Sequence, residues 1–410
     1  MNRTGIPVRL RWFVSLGIGV VCAGCSCEVI CRPLFGGKES KPAVTADVTA
    51  PRSAPRAENV VQWGGQGGQA AGTTAVDPGD VNVFGEMRGA KPGQVKPVGD
   101  ANFQQHTHID QGFDADVAID PTGKWMVFAS TRDNDHTNLY SQRVDGAAVV
   151  QLTTGSADDA HPAVSPDGRQ IAFASTRAGN WQIFVMDADG KNVTQVTTGL
   201  MQAIHPSWAP DGSRLVFSAL GGKSNQWELW TVNLQTNEKR MIGYGLFPSW
   251  SPSRDGDRIA FQRPRQRGSR WFSLWTLDLV NGEATRVTEV VLSSNAAVLS
   301  PTWSPDSKRL AFATIMEPTK ELAPKSKGRT DVWIVNADGT DRQRITDGTG
   351  TNLMPYWGAD NRVYFISDRG GAECVWSARA EPSRVFLADQ KDPKKEPAKQ
   401  QSADVQEPEH

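Results

Sequence analysis

Short apolar runs, each bounded by polar turn residues, recur along the chain with a period of about 40 to 50 residues. The clearest copy is residues 161–177, HPAVSPDGRQIAFASTR, in which Pro166, Asp167 and Gly168 have the turn chemistry that joins two strands. The run that ends at Phe173 follows this turn. Copies of Phe173 stand at Phe128, Phe217, Phe261, Phe312 and Phe365, at intervals of 45, 44, 44, 51 and 53 residues. The pattern therefore predicts six repeats of a small β-sheet unit.

Each repeat also carries a second aromatic residue 11 to 21 positions after the first. These residues are Tyr140, Phe184, Trp230, Trp275, Trp333 and Trp376. Asx-Gly turns and β-branched runs follow them, so each repeat reads as four short strands. Repeats of this length with four strands are typical of propeller blades, whose two faces pack against neighbouring blades. We therefore predict an all-β, six-bladed β-propeller of four-stranded antiparallel blades, with both sets of aromatic residues buried.

The ring must also be closed, because an open propeller would expose two blade faces. Residues 102–107, NFQQHT, resemble the fourth strand NVTQVT at residues 192–197, yet no first three strands precede them. We predict that this N-terminal segment supplies the outer strand of the sixth blade. The alternative is residues 384–387, which could supply the same strand from the C-terminal side.

The two ends of the chain differ in composition from the repeats. Three arginines precede an apolar run that ends in Cys22-Ala23-Gly24-Cys25, which resembles a bacterial lipobox. We predict a signal peptide at residues 1–25 with lipidation at Cys25; plain cleavage and an uncleaved anchor are the alternatives. Residues 26–99 are rich in Pro, Gly and Ala and predict a disordered tether. The propeller then spans residues 100–388, and 389–410 form a disordered polar tail.

Composition excludes several classes of function. The net charge is −1 and the pI is about 6.6, so no overall attraction to nucleic acid is expected. Only one of the five cysteines, Cys374, lies in the repeats, which rules out a disulfide framework there. The repeats contain no nucleophile elbow, zinc-protease motif or phosphate-binding loop. We therefore expect no catalysis and no cofactor.

The repeats resemble the TolB-like six-bladed propeller family and its WD-like relatives. The resemblance rests on HPAVSPDGRQIAFASTR, HPSWAPDGSRLVFSA, SPTWSPDSKRLAFAT and the DADG and NADG turns, and covers about residues 101–388. It implies a periplasmic, non-catalytic, protein-binding ring. We expect a monomer that binds another envelope protein and reaches the membrane through the lipid anchor. TolB also has an α/β domain before its propeller, where this chain has the tether, so TolB's own partners are not carried over.

The candidate partner surface is the face that carries the second-to-third-strand loops. One side offers Asp158 and Asp159. The other side is basic, and its residues are Arg263, Arg265, Arg267, Arg270, Lys325 and Lys327. Loops on a rigid scaffold often carry function; the alternative is a solvated surface with scattered charges.

A second candidate lies at the channel, where the residue before each repeat proline forms one register. In the first three blades this residue is Asp116, His161 and His205, a set that suits a divalent transition metal. The alternative is that they bond the backbone at the start of the first strand. The polar positions after the prolines include no carboxylate, which argues against a channel-centred hydrolase. Two further hypotheses remain: a carbohydrate or peptidoglycan ligand at the channel mouth, and a metal-dependent enzyme.

Overall fold

The repeats fold into six four-stranded antiparallel sheets. The computed structural model describes residues 103–264, 272–293, 296–316 and 330–380, and these contain strands and turns but no helix. Each sheet is ordered by sequence from its first to its fourth strand, apart from the last, which borrows its outer strand. The predicted six-bladed propeller is therefore confirmed.

The first three blades have nearly equal strands. Blade 1 contains β2 (Asp114–Ile119), β3 (Trp125–Ser130), β4 (Asn138–Arg143) and β5 (Val149–Gln151). Blade 2 contains β6 (Asp159–Val164), β7 (Gln170–Ser175), β8 (Gln182–Asp187) and β9 (Thr194–Gln195). Blade 3 contains β10 (Ala203–Trp208), β11 (Arg214–Leu220), β12 (Trp227–Asn233) and β13 (Lys239–Tyr244).

Blades 4 and 5 have longer middle strands, and blade 6 includes the closing strand. Blade 4 contains β14 (Leu246–Trp250), β15 (Asp257–Pro264), β16 (Phe272–Val280) and β17 (Glu283–Val291). Blade 5 contains β18 (Ala296–Trp303), β19 (Arg309–Met316), β20 (Thr330–Asn336) and β21 (Gln343–Arg344). Blade 6 contains β22 (Asn352–Trp357), β23 (Arg362–Ser367), β24 (Cys374–Arg379) and, as its outer strand, β1 (Gln104–Gln105).

The two aromatic series of the sequence pair with each other across the middle strands of every blade. The register joins Phe128 to Tyr140, Phe173 to Phe184, Phe217 to Trp230, Phe261 to Trp275, Phe312 to Trp333 and Phe365 to Trp376. All six phenylalanines are buried, as predicted. The prediction for the second series holds for Tyr140, Phe184 and Trp333, whereas Trp230, Trp275 and Trp376 are only half-buried. Burying each ring stabilises the fold by about 1.5–3 kcal/mol, so one pair in each blade gives every sheet its own share of the core.

The closing strand is the one predicted from residues 102–107. Gln104 pairs with Ser377 and Gln105 with Trp376 on β24. Phe103 packs edge to face on Phe365, with ring centroids 6.3 Å apart. The alternative strand at residues 384–387 lies outside the described residues, as do the signal peptide, the tether and the tail. Among the described residues, no helix is long and apolar enough to cross a membrane.

A β-bulge interrupts the first strand of every blade at one position. In β6, Ala160 pairs with Ala174 and Ala163 with Ala172, so that His161 and Pro162 together oppose one residue. The same shift occurs in β2, β10, β14, β18 and β22. A proline cannot donate to the ladder, which places it naturally at a bulge. The residue before it turns toward the centre of the ring.

Candidate functional site

All six innermost strands line a single cavity of about 480 Å³, which we call the funnel. Turn residues between the first and second strands form its mouth, and most of them are exposed prolines. They are Pro121, Pro166, Pro210, Pro252, Pro305 and Ala359. A cavity of this size can hold a small molecule or one inserted side chain of a partner protein.

The inner end of the funnel is formed by the six bulge residues, which we call the floor ring. Its members are Asp116, His161, His205, Phe247, Ser300 and Met354. Each has a positive φ, between 46° and 54°. Asp and His tolerate this conformation better than Phe or Met. Strained positions of this kind cost about 1–3 kcal/mol each and cluster at ligand sites.

The floor ring is polar on one side and apolar on the other. His161 Nδ1 lies 2.9 Å from Asp116 Oδ2, so the imidazole and the carboxylate are in direct polar contact. The His161 ring packs at a tilt against His205 with centroids 3.9 Å apart, and His205 packs at a tilt against Phe247 at 3.6 Å. Four consecutive blades thus contribute one row of contacts, which consists of one carboxylate and three rings.

His205 is buried between the His161 and Phe247 rings. It is 8% exposed, and neither of its ring nitrogens has a hydrogen-bond partner among the described residues. Burial, together with the neighbouring His161, lowers the pKa of His205 well below its usual value. The ring is therefore neutral at physiological pH and offers one donor and one acceptor without partners.

The predicted metal ligands are neighbours but do not converge. Asp116 contacts His161, and the His161 ring packs against the His205 ring. Two imidazoles that bind one metal ion instead point a nitrogen of each ring at the ion. Within the described residues, no group of three His, Cys, Asp or Glu side chains could hold a metal ion. The geometry therefore does not support a metal site at Asp116, His161 and His205.

Two carboxylates line the funnel, although the positions after the repeat prolines carry none. Asp116 lies on the floor ring and Asp120 lies closer to the mouth. The Asp120 carboxylate is buried and accepts hydrogen bonds from the backbone amides of Thr122, Lys124 and Trp125. It caps a turn and is not free for acid–base work. Hydrolysis by a pair of acids therefore still has no support.

Two further polar groups mark opposite parts of the funnel wall. The Tyr356 hydroxyl donates to the Ile119 carbonyl at 3.2 Å, and burial, with Asp120 nearby, raises the pKa of this tyrosine to about 12. Arg254 is exposed at the mouth, on the longer first turn of blade 4. Asp116 and Asp120 are thus accompanied by one guanidinium in the lining.

The predicted acidic side of the loop face is mostly structural. Asp159 is 1% exposed, and both its oxygens accept from Arg177 Nη2 at 3.0 Å. It is therefore unavailable to a partner, and its prediction as a docking residue is corrected. Asp158 is about one-third exposed and accepts from the backbone amide of Thr137, 3.0 Å away.

Comparison with known proteins decides the family. The TolB beta propeller domain matches residues 103–278 and 245–399, which together exceed half of the chain. The chain belongs to the TolB beta propeller domain family.

Similar proteins extend this result without fixing a function. The Tol-Pal system protein TolB of Alcanivorax borkumensis is 30% identical over 88 residues, which are 22% of this chain and 18% of that protein. The match thus spans less than a fifth of that relative. The TolB structure from Agrobacterium tumefaciens is 18% identical, with a TM-score of 0.50 over 65% of this chain and 90% of that one. An oligogalacturonate lyase from Vibrio parahaemolyticus is 15% identical, with a TM-score of 0.48 over 68% and 94%.

The sequence reasoning missed a clamp that this TolB-family propeller repeats in several blades. Arg177 Nε donates to Ser175 two residues earlier, while its guanidinium lies over Phe173 and Phe184 at 5.2 Å from each ring. Arg132 and Arg369 repeat the arrangement over their own aromatic pairs. The signal was present as Ser-x-Arg at the end of the second strand, in STR and SDR.

The basic side of the loop face is described only in part. Arg263 lies with its guanidinium carbon 5.5 Å from the centre of the Trp275 ring, and its side chain is half-buried. Arg265, Arg267, Arg270, Lys325 and Lys327 lie outside the described residues. A basic docking face in this TolB-family chain therefore stays a prediction.

Proposed function

We propose that this TolB-family propeller is a non-catalytic binding protein of the bacterial cell envelope that receives a partner protein at the funnel mouth. The observation that carries the proposal is the funnel itself. Residues from all six blades form its mouth, and the floor ring forms its inner end. The floor ring contains one carboxylate, Asp116, and therefore no pair of acids for catalysis. Concave sites on a rigid scaffold are the usual place for recognition.

A protein partner is favoured over a carbohydrate by the aromatic residues. Sugar-binding surfaces present exposed aromatic faces on which the rings of the ligand stack. Here Trp208, Trp250, Trp303 and Trp357 line the funnel but are buried, each at most 7% exposed. Among the described aromatic residues, Tyr244 is the one large side chain that is clearly exposed, at 42%. One ring does not make a platform.

The anchor and the location belong to the same proposal. Lipidation at Cys25 would hold the chain at a periplasmic membrane surface, and residues 26–99 would let the propeller reach its partner. Mass spectrometry of the mature N-terminus should find a diacylglyceryl cysteine at position 25. An unmodified N-terminus at another residue would contradict the anchor and leave the binding role untouched.

Site-specific crosslinking tests the binding site. A photoreactive residue at Pro166 on the funnel mouth should capture one defined envelope protein in intact cells. The matched control is Val150, which is 58% exposed on the outer strand of blade 1. Capture at Pro166 but not at Val150 is the expected result. The same products from both positions, or none from Pro166, would count against docking at the funnel.

A further inference from the structure

The floor ring has unmet hydrogen-bonding capacity that the fold does not use. Both ring nitrogens of His205 are buried without hydrogen-bond partners among the described residues. Buried polar atoms are ordinarily satisfied, and each orphaned one costs free energy. Two such atoms on one ring at the inner end of the cavity indicate that the missing partner is a ligand.

The charge of the floor ring indicates the sign of that ligand. Asp116 supplies a carboxylate, whereas no Lys or Arg stands among the six members. One oxygen of this carboxylate contacts His161, and the other has no hydrogen bond within the described residues. His205 is neutral, and a neutral imidazole presents an acceptor nitrogen. The polar half of the floor ring thus presents a carboxylate and an acceptor nitrogen, to which a positively charged donor group can bind.

The apolar half of the floor ring suits the same group. The Phe247 ring already packs at a tilt against the His205 imidazole. Met354 is the apolar side chain that blade 6 contributes to the floor ring. An aromatic face attracts a cation through its quadrupole, and a desolvated cation–π contact is worth about 2 kcal/mol or more. A planar guanidinium can stack on a ring while its N–H groups reach a carboxylate.

We propose that the floor ring binds one basic group, a guanidinium or an ammonium, carried into the funnel by an Arg or Lys side chain of the partner. Asp116 accepts its hydrogen bonds, His205 supplies a further acceptor, and Phe247 contacts its face. The protein carrier of this group rests on the proposed function above, whereas the charge of the group rests on the floor ring alone.

A pair of small probes separates charge from shape. Argininamide carries the guanidinium, and citrullinamide replaces it with an uncharged urea of the same size. Calorimetric titration of the full-length protein at pH 8, where imidazoles are ordinarily uncharged, should show millimolar binding of argininamide. Citrullinamide should bind at least tenfold more weakly. Equal affinities would overturn the proposal, and this comparison needs no variant.

Variants then place the probe at the floor ring. Asp116→Asn removes the charge and keeps a residue that tolerates positive φ, and we expect it to weaken argininamide binding at least tenfold. Asp110→Asn, on an exposed residue, is the matched control and should change affinity less than twofold. Arg254→Ala removes the cation at the mouth and should leave binding equal or tighter. An unaffected Asp116→Asn, or loss of binding in Arg254→Ala, would overturn the assignment.

The two proposals fail in different ways. If argininamide does not bind but Pro166 still captures an envelope protein, the docking function stands and the basic group is wrong. If argininamide binds as expected and no protein is captured, the floor ring is a site for a cationic small molecule. In that case the docking function is what fails.

Discussion

Replacing His106 by alanine should measure how firmly the closing strand holds the ring. His106 is 5% exposed and follows β1 directly. Its Nδ1 donates to the Val144 carbonyl of blade 1 at 3.0 Å, which leaves Nε2 to accept from the Ser377 hydroxyl of blade 6 at 2.7 Å. This one neutral imidazole thus links the residue after β1 to blade 1 through Val144 and to blade 6 through Ser377.

The expected loss follows from these contacts. Each hydrogen bond contributes about 1 kcal/mol net, and leaving buried partners unsatisfied adds about 1–3 kcal/mol. The Ser377 hydroxyl also accepts from Arg362 Nε at 2.8 Å, so removing the imidazole disturbs a short relay. We expect His106→Ala to lower the free energy of unfolding by about 3 kcal/mol.

Urea unfolding followed by tryptophan fluorescence is the assay, because the chain has 14 tryptophans. For a propeller of this length the loss corresponds to a fall in melting temperature of about 5 °C. The control is His108→Ala, two residues along and exposed, which should change stability by less than about 0.5 kcal/mol. If the two variants were equally stable, His106 would not fasten the ring and the argument from its hydrogen bonds would be refuted.

Two further predictions concern titration and buried charge. Burial, with Arg362 nearby, lowers the pKa of His106, so its stabilisation is present above the unfolded pKa near 6.5 and lost as pH falls through the folded pKa. Urea unfolding at pH 8, 6 and 5 should show this loss, and His106→Ala should show less of it. Arg177→Ala leaves the buried carboxylate of Asp159 without its cation and should cost about 3 kcal/mol. Arg143→Ala breaks an exposed pair and should cost under about 0.5 kcal/mol by the same assay, and equal losses would contradict the clamp.

The propeller was predictable because its signals are local and repeated. One aromatic residue on the second strand and one on the third recur in every blade, and the register pairs them, as Phe173 with Phe184. Even the closing strand was visible, because NFQQHT at residues 102–107 resembles a fourth strand with no blade before it. Residue type and spacing alone determine such features.

The site was harder to predict because its properties depend on contacts between blades. Asp159 was predicted to face a partner, yet its carboxylate is buried and held by Arg177, whereas Asp116 does line the funnel. The contact between the His161 and His205 rings joins residues that are 44 positions apart in the chain, and both residues have a positive φ. No spacing within a single repeat carries that information.

The floor ring also explains why the repeats are unequal at one position while uniform elsewhere. The bulge is imposed on all six blades by the same geometry, since every first strand shifts register there. If the position served only the backbone, small residues or asparagine would meet its positive φ at least cost. The chain places Phe247 and Met354 there instead, residues that gain nothing from the left-handed conformation. Under the proposal that a basic group binds here, the contact between the Phe247 ring and that group offsets the strain at this position.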